Sequence, residues 1–368
     1  MKMFEGFERG MGIGGWLTNY KRFEVMEPQM RTILTTGDWE HFDTYITQKD
    51  VEYIASLGMD HIRLGFDQIV LEQTPFVYSE RIFEIIEQFV HWCEEAKLNV
   101  ILNLHKCEGN YLDLVDSVSL CDSEELQDRF VRFWLEFERR FARKDFVAFE
   151  LLNESKEANA EKWNKLLDRA VAEIRKKNPT RKILLGAGRH NQVSGLADMR
   201  LMEDENIAYT FHFYTPHEFT HQRSVLRKEH IFYNRSMEYP ATTQKYVDFV
   251  KLKEAYWNRP FANPYEGFDR VDKEYLRHSM RPLRQMLEQY PNVRLYCSEF
   301  GVIRHCDITY RENWLRDVIS LFTELDIGYG VWNYLSTPND GNKFSLVDDD
   351  KRLILSETLA KIIRGEVG

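Results

Sequence analysis

Two glutamates, Glu154 and Glu299, close short runs rich in β-branched and aromatic residues, FVAFELLNE (146–154) and RLYCSEFG (294–301). Other polar residues sit at or near the ends of comparable runs: Arg63, His105, Asn153, His212, Tyr214 and, on the last run, Trp332. A pair of carboxyl groups can break a glycosidic bond when one is neutral and protonates the departing oxygen. The other must be ionised and capture the cationic anomeric carbon from the opposite face. Desolvation or a nearby negative charge keeps the acid neutral, and Arg63 or Tyr214 can hold the second carboxylate ionised by charge and hydrogen bonding. Trp16 and Trp332 fall near run ends and could offer faces on which a pyranose ring stacks. Glu150, four residues before Glu154, is a reminder that a carboxylate on such a run need not take part. Trp92, Trp134, Trp163 and Trp314 lie in helical patterns and read as packing residues.

Something must hold these groups at one place. The apolar runs number eight, at 11–17, 61–66, 99–105, 146–154, 182–188, 207–215, 294–301 and 328–335. Between them lie helical patterns such as 79–96, 122–142, 159–177 and 311–326, with Ser79, Asp122 and Asn159 as caps for their first turns. Eight strand–helix units in strict alternation predict parallel strands joined by crossover helices, an α/β chain closed as a (β/α)8 TIM barrel whose functional groups gather at the C-terminal strand ends. Two connections exceed simple loops, 18–47 and 216–270. The second holds Phe219, Phe232, Tyr233, Tyr239, Tyr246, Phe249, Tyr256, Trp257, Phe261, Tyr265 and Phe268, and is expected to be an inserted subdomain after strand 6 with a small core of its own. The rest of 1–368 reads as a single catalytic domain.

Composition narrows the partners. With 49 Lys and Arg against 59 Asp and Glu the chain carries a formal charge of −10, and no basic block marks a nucleic-acid or anionic-membrane surface. No 18-residue apolar run could span a bilayer, and the N-terminus shows no secretory h-region. Five cysteines without a CxxC pair suggest free thiols in a reducing compartment, so a cytoplasmic address is expected. The aromatic share, 14%, exceeds what a core alone asks for. GMGIGG at 10–15 matches a dinucleotide fingerprint, but no helical face follows it, and a barrel strand with small residues is the better reading. HEFTH at 217–221 matches a zinc-binding HExxH pattern without a third ligand at familiar spacing, so neither metal nor cofactor is expected.

Taken in order, GIGGW (12–16), HFDTYI (41–46), DHIRL (60–64), NLH (103–105), FELLNE (149–154), HFYTP (212–216), FTHQ (219–222), SEFGV (298–302) and VWNY (331–334) resemble glycoside hydrolase family 5, and in particular its signal-less endoglucanases of the C type. The resemblance spans nearly the whole chain. It implies a retaining mechanism with Glu154 as general acid/base and Glu299 as nucleophile. It also implies that Asn153 bonds the 2-hydroxyl of the reacting sugar, that Arg63 and Tyr214 orient Glu299, and that His212 lies near Glu154. His105 and Trp332 would line the subsite on the non-reducing side of the cut. The implied partner is a β-1,4 or mixed-linkage β-glucan or cello-oligosaccharide; a mannan-directed or exo-acting enzyme and a catalytically silent carbohydrate-binding barrel are the alternatives, and oligomeric state is not implied. Three positions depart from the pattern: Asn103 where Asp is common, CEG (107–109) where APG is frequent, and Ser155 where Pro is common. A longer first loop, around 24–39 with Glu24, Glu27, Arg31 and Trp39, is expected to reshape one end of the cleft.

Overall fold

Short runs of Val, Ile, Leu and Phe that are apolar on both sides are stable only in a sheet covered on both faces. The computed structural model, which describes residues 3–21, 26, 30–31, 33–111, 118–225, 227–338 and 340–366, places them in one closed parallel barrel. Its strands are β1 (Arg9–Leu17), β2 (His61–Asp67), β3 (Asn99–Lys106), β4 (Val147–Glu150), β5 (Ile183–Gly186), β6 (Ile207–His212), β7 (Leu295–Phe300) and β8 (Gly328–Val331). Each pairs with its sequence neighbours, and β8 returns to β1 through Gly10 opposite Gly330.

Two apolar layers hold the barrel. Inside it, Ile101, Ala148, Leu184, Ala208 and Tyr296 pack against Met3, Phe4 and Phe7, which plug the floor. Outside it, the helices α1 (Thr36–Thr44), α2 (Gln48–Ser56), α3 (Glu80–Glu95), α4 (Glu124–Phe141), α5 (Ala160–Arg175), α6 (Gln244–Trp257), α7 (Lys273–Ser279), α8 (Arg281–Gln289), α9 (Ile308–Glu324) and α10 (Glu357–Ile363) surround the strands. α3 shows the local logic: Ile82, Phe83, Ile86, Phe89, Val90 and Cys93 recur at helical spacing and are buried, and the Ser79 hydroxyl accepts the Ile82 N–H. In α4 the cap is Ser123 rather than the expected Asp122, because the side chain of Ser123 reaches the Leu126 N–H while Asp122 ends a preceding 3-10 turn. Rings of α4 feed the same layer; Phe137 stacks on Phe66 of β2 at 4.9 Å between centroids.

Strict alternation fails between β5 and β6. Only a helical turn at Gly188–Asn191, with Arg189 and His190 left-handed at φ 58° and 61°, and a 3-10 stretch Val193–Asp198 connect them. The intervening sequence lacks an apolar stripe long enough for a helix. The insertion after β6 holds a helical turn (His217–Thr220), a short helix (Lys228–Tyr233), α6, and a pair of two-residue antiparallel strands, Ala241–Thr242 with Arg270–Val271. Among the described residues it does not have a core of its own. Phe219, Tyr233, Tyr239, Tyr246, Phe249 and Tyr265 belong to the same continuous layer as the outer face of the barrel, since so short a segment cannot bury enough surface alone.

Candidate active site

Glu299 reaches the cleft through an irregularity. On β7 Tyr296 faces the interior and Cys297 the outer layer, so simple alternation would turn Glu299 outward too. The pairing shifts between Cys297 and Glu299 against β6, and between Cys297 and Phe300 against β8. The extra residue bends the strand and aims Glu299 inward while Phe300 packs outside. There its Oε1 accepts from Arg63 Nη1 at 2.8 Å and its Oε2 from the Tyr214 hydroxyl at 3.2 Å. Burial, then the negative charges of Glu299 and Glu154, push the Tyr214 hydroxyl well above the ordinary phenol range, so it stays a donor.

Arg63 is fully buried and divides its guanidinium among three acceptors. Nε and Nη2 fork onto Glu150 at 2.5 and 3.1 Å, Nη2 also donates to Asn153 Oδ1 at 2.6 Å, and Nη1 goes to Glu299. Burial alone would pull its pKa down, but the charges of Glu150 and Glu299 overcome this and hold it above the usual guanidinium value. Glu150, a strand carboxylate for which no catalytic part is expected, is thus part of the site. Its signal was strand parity, since it shares a face of β4 with the inward Ala148.

Glu154 lies beyond the end of β4 on irregular backbone. Asn110 clamps that backbone, donating to the Glu154 carbonyl at 2.8 Å and accepting the Lys156 N–H at 2.9 Å, and the Ser155 carbonyl accepts the His190 N–H at 2.7 Å. The side chain is 24% exposed against 8% for Glu299, so one carboxyl meets solvent and the other is enclosed. His212 stands between them, its Nδ1 2.9 Å from Glu154 Oε1 and 3.7 Å from Glu299 Oε2. The two oxygens can be no farther apart than those distances laid end to end. Burial opposes charge on this imidazole, but Glu299 and Glu154 outweigh it and raise its pKa above the ordinary value.

His105 and Trp332 form the wall beside this pair, their rings stacked at 5.6 Å and 14°. Burial, Arg63 and Lys106 drive the His105 pKa well down, so the ring is neutral. Its Nδ1 donates to Asn103 Oδ1 at 3.0 Å, leaving Nε2 to accept from Asn19 Nδ2 at 3.4 Å. Asn103 therefore supplies the acceptor that the more common Asp would supply. The Trp332 indole lies against β1, where a Cβ on Gly12 or Gly14 would come within 2.8 or 2.5 Å of it. Gly12 and Gly14 of GMGIGG make room for this ring.

Trp16, expected as a stacking face, does not line the cleft. It is 1% exposed, donates its indole N–H to the Phe42 carbonyl at 2.8 Å and packs edge-on against Phe89, so its face is not open to a sugar. In the first loop, Glu24 and Glu27 lie outside the described residues; Arg31 donates to the Met26 carbonyl, and Trp39 packs on Phe42 beneath the Arg81 guanidinium. HEFTH forms no metal cradle: the His217 and His221 rings stack face to face at 3.7 Å, and Glu218 accepts from the Tyr265 hydroxyl.

A closed parallel barrel with two glutamates, a buried arginine and an aromatic wall at its C-terminal end has the parts of a glycosidic-bond hydrolase. The family model for cellulase (glycosyl hydrolase family 5) matches residues 19–337. The chain is 33% identical over 361 residues to endoglucanase C of Acetivibrio thermocellus, covering 97% of this chain and 98% of that protein. It is 28% identical over 324 residues to cellodextrinase A of Ruminococcus flavefaciens, covering 87% and 83%. Among solved structures, endoglucanase Cel5A of Thermotoga maritima superposes with a TM-score of 0.71 at 20% identity over 97% of each chain. A hyperthermophilic endo-β-1,4-glucanase in complex with substrate superposes at 0.70, with 20% identity, over 99% of this chain and 100% of that one. The chain belongs to glycosyl hydrolase family 5 and is a glycoside hydrolase.

Proposed function

We propose that this enzyme hydrolyses β-1,4-linked or mixed-linkage gluco-oligosaccharides with retention, Glu299 acting as nucleophile and Glu154 as acid/base. The observation that carries the reading is that one nitrogen of His212 reaches both carboxyl groups. This caps the distance between one oxygen of each carboxyl at the bottom of the range of about 6.5–9.5 Å typical of inverting pairs and leaves room for the ~5–5.5 Å of retaining ones. The names of the two relatives, an endoglucanase and a cellodextrinase, support a β-glucan substrate. All five cysteines are free thiols, in keeping with a reducing, cytoplasmic compartment.

In the first step a Glu299 oxygen attacks the anomeric carbon as the leaving oxygen takes the proton of Glu154. Arg63 and Tyr214 point the enclosed carboxylate at the sugar. Asn153, whose amide oxygen is taken by Arg63, offers its NH2 to the 2-hydroxyl. In the second step the ionised Glu154, facing solvent and bonded by His212, takes a proton from water, which attacks the anomeric carbon and frees Glu299. Trp332 supplies the stacking face beside them.

Proton NMR of cellotetraose hydrolysis tests this. The first-formed product should carry the β anomer, and manno-oligosaccharides should be cut more slowly. Glu299→Gln should abolish turnover, whereas Glu154→Gln should still release an activated aryl leaving group that needs no proton. An α-anomeric first product would overturn the mechanism, and a preference for manno-oligosaccharides the substrate.

A further inference from the structure

We propose that Glu150 is a positioning residue that acts through Arg63, as the fixed counter-charge that lets Glu299 give up its own charge when it bonds to the sugar. This rests on the reading of Glu299 as nucleophile. In the free enzyme one fully buried guanidinium faces two carboxylates, Glu150 and Glu299. Glycosylation joins a Glu299 oxygen to the anomeric carbon and moves the Glu154 proton to the leaving oxygen, so Glu299 becomes a neutral ester and Glu154 an anion. Arg63 is then left in the dry interior with Glu150 as its anionic partner. An unpaired buried charge is strongly unfavourable, so the step needs a partner that does not react.

The geometry fits that task. Glu150, 0% exposed, holds the guanidinium by a two-pronged fork on Nε and Nη2, whereas Glu299 receives a single bond from Nη1. The stronger grip is thus on the carboxylate whose charge never changes. With a neutral residue at 150, the whole attraction of Arg63 would fall on the ionised Glu299. The carboxylate would be stabilised relative to the ester. Glycosylation, which consumes the carboxylate, would slow, and deglycosylation, which regenerates it, would accelerate. A merely structural defect would slow both.

The test uses the full chain with a 2-deoxy-2-fluoro-β-cellobioside bearing a dinitrophenolate leaving group, with peptide mapping of the labelled enzyme. Glu150→Gln keeps the shape and removes the charge; inactivation should be about tenfold slower and reactivation at least about threefold faster than wild type. Glu150→Asp keeps the charge and should stay within about threefold of wild type in both rates. Equal slowing of both steps in Glu150→Gln, unchanged rates, or a loss in Glu150→Asp as large as in Glu150→Gln would overturn the proposal. If wild type is labelled elsewhere than Glu299, the nucleophile reading itself fails, which is a separate result.

Discussion

Gly14 lies beneath the indole of Trp332, where an added Cβ would stand 2.5 Å from the ring. A glycine on β1 and an aromatic beyond β8 are thus one unit, because these strands are neighbours in the closed barrel. Gly14→Ala must tilt or push the indole out of its stack with His105. The expected outcome is a tenfold higher KM for cello-oligosaccharides, about 1.4 kcal/mol of binding, with little change in unfolding midpoint; steady-state kinetics beside a urea titration measure both.

Trp16→Phe should behave in the opposite way. The substitution removes the indole N–H donated to Phe42 and part of a buried ring, at a cost of about 1–2 kcal/mol. KM should stay within about twofold of wild type because the ring does not reach the cleft. A large KM effect at unchanged stability would restore Trp16 to the binding surface.

Removing the guanidinium is expected to cost both stability and activity. Arg63→Met leaves Glu150 and Glu299 without their shared cation, and breaking a buried pair in this way costs about 3–5 kcal/mol. Equilibrium denaturation at pH 7 gives the stability loss. Conversely, stability within about 1 kcal/mol of wild type would mean that the network is not held together by this charge.

The insertion makes stability fall with acid. Burial lowers the pKa values of His217 and His221 well below 6.5, and burial with Arg227 and Lys253 takes His230 to about 4, against an opposing pull from Glu229. Their folded-state values are depressed, so the unfolded chain binds protons first as pH drops below 6.5. Stability is then lost between pH 6.5 and about 4. His212 runs the other way: its raised pKa makes its contribution full below 6.5 and lost as pH rises through the folded value. Urea midpoints at pH 7, 6 and 5 should decline, and His230→Gln should flatten the decline by up to about 1.4 kcal/mol per pH unit. A flat profile in wild type would show that these rings titrate normally.

The sequence carried the barrel because each strand announces itself locally as an apolar run of the right length bounded by turns, and most are followed by a capped amphipathic stretch. It carried Glu154, Asn153, His212 and Tyr214 as residues at or just beyond strand ends for the same reason. Where an element has no local stripe, as between β5 and β6, extrapolating the repeat supplied a helix that the chain does not form. The aromatic share also read differently in space, since most of the rings, Trp16 included, serve the layer between strands and helices.

What tertiary structure alone decided is which way Glu299 faces and what the buried charged groups share. Parity along β7 points Glu299 at the helices, and only the shifted pairing with β6 and β8 turns it to the cleft. Glu150, Arg63 and Glu299 come from three strands far apart in the chain, so their common charge balance has no trace in local spacing. A bulge and a buried ion network are both set by neighbouring strands, whereas hydrophobic periodicity is set by one strand at a time.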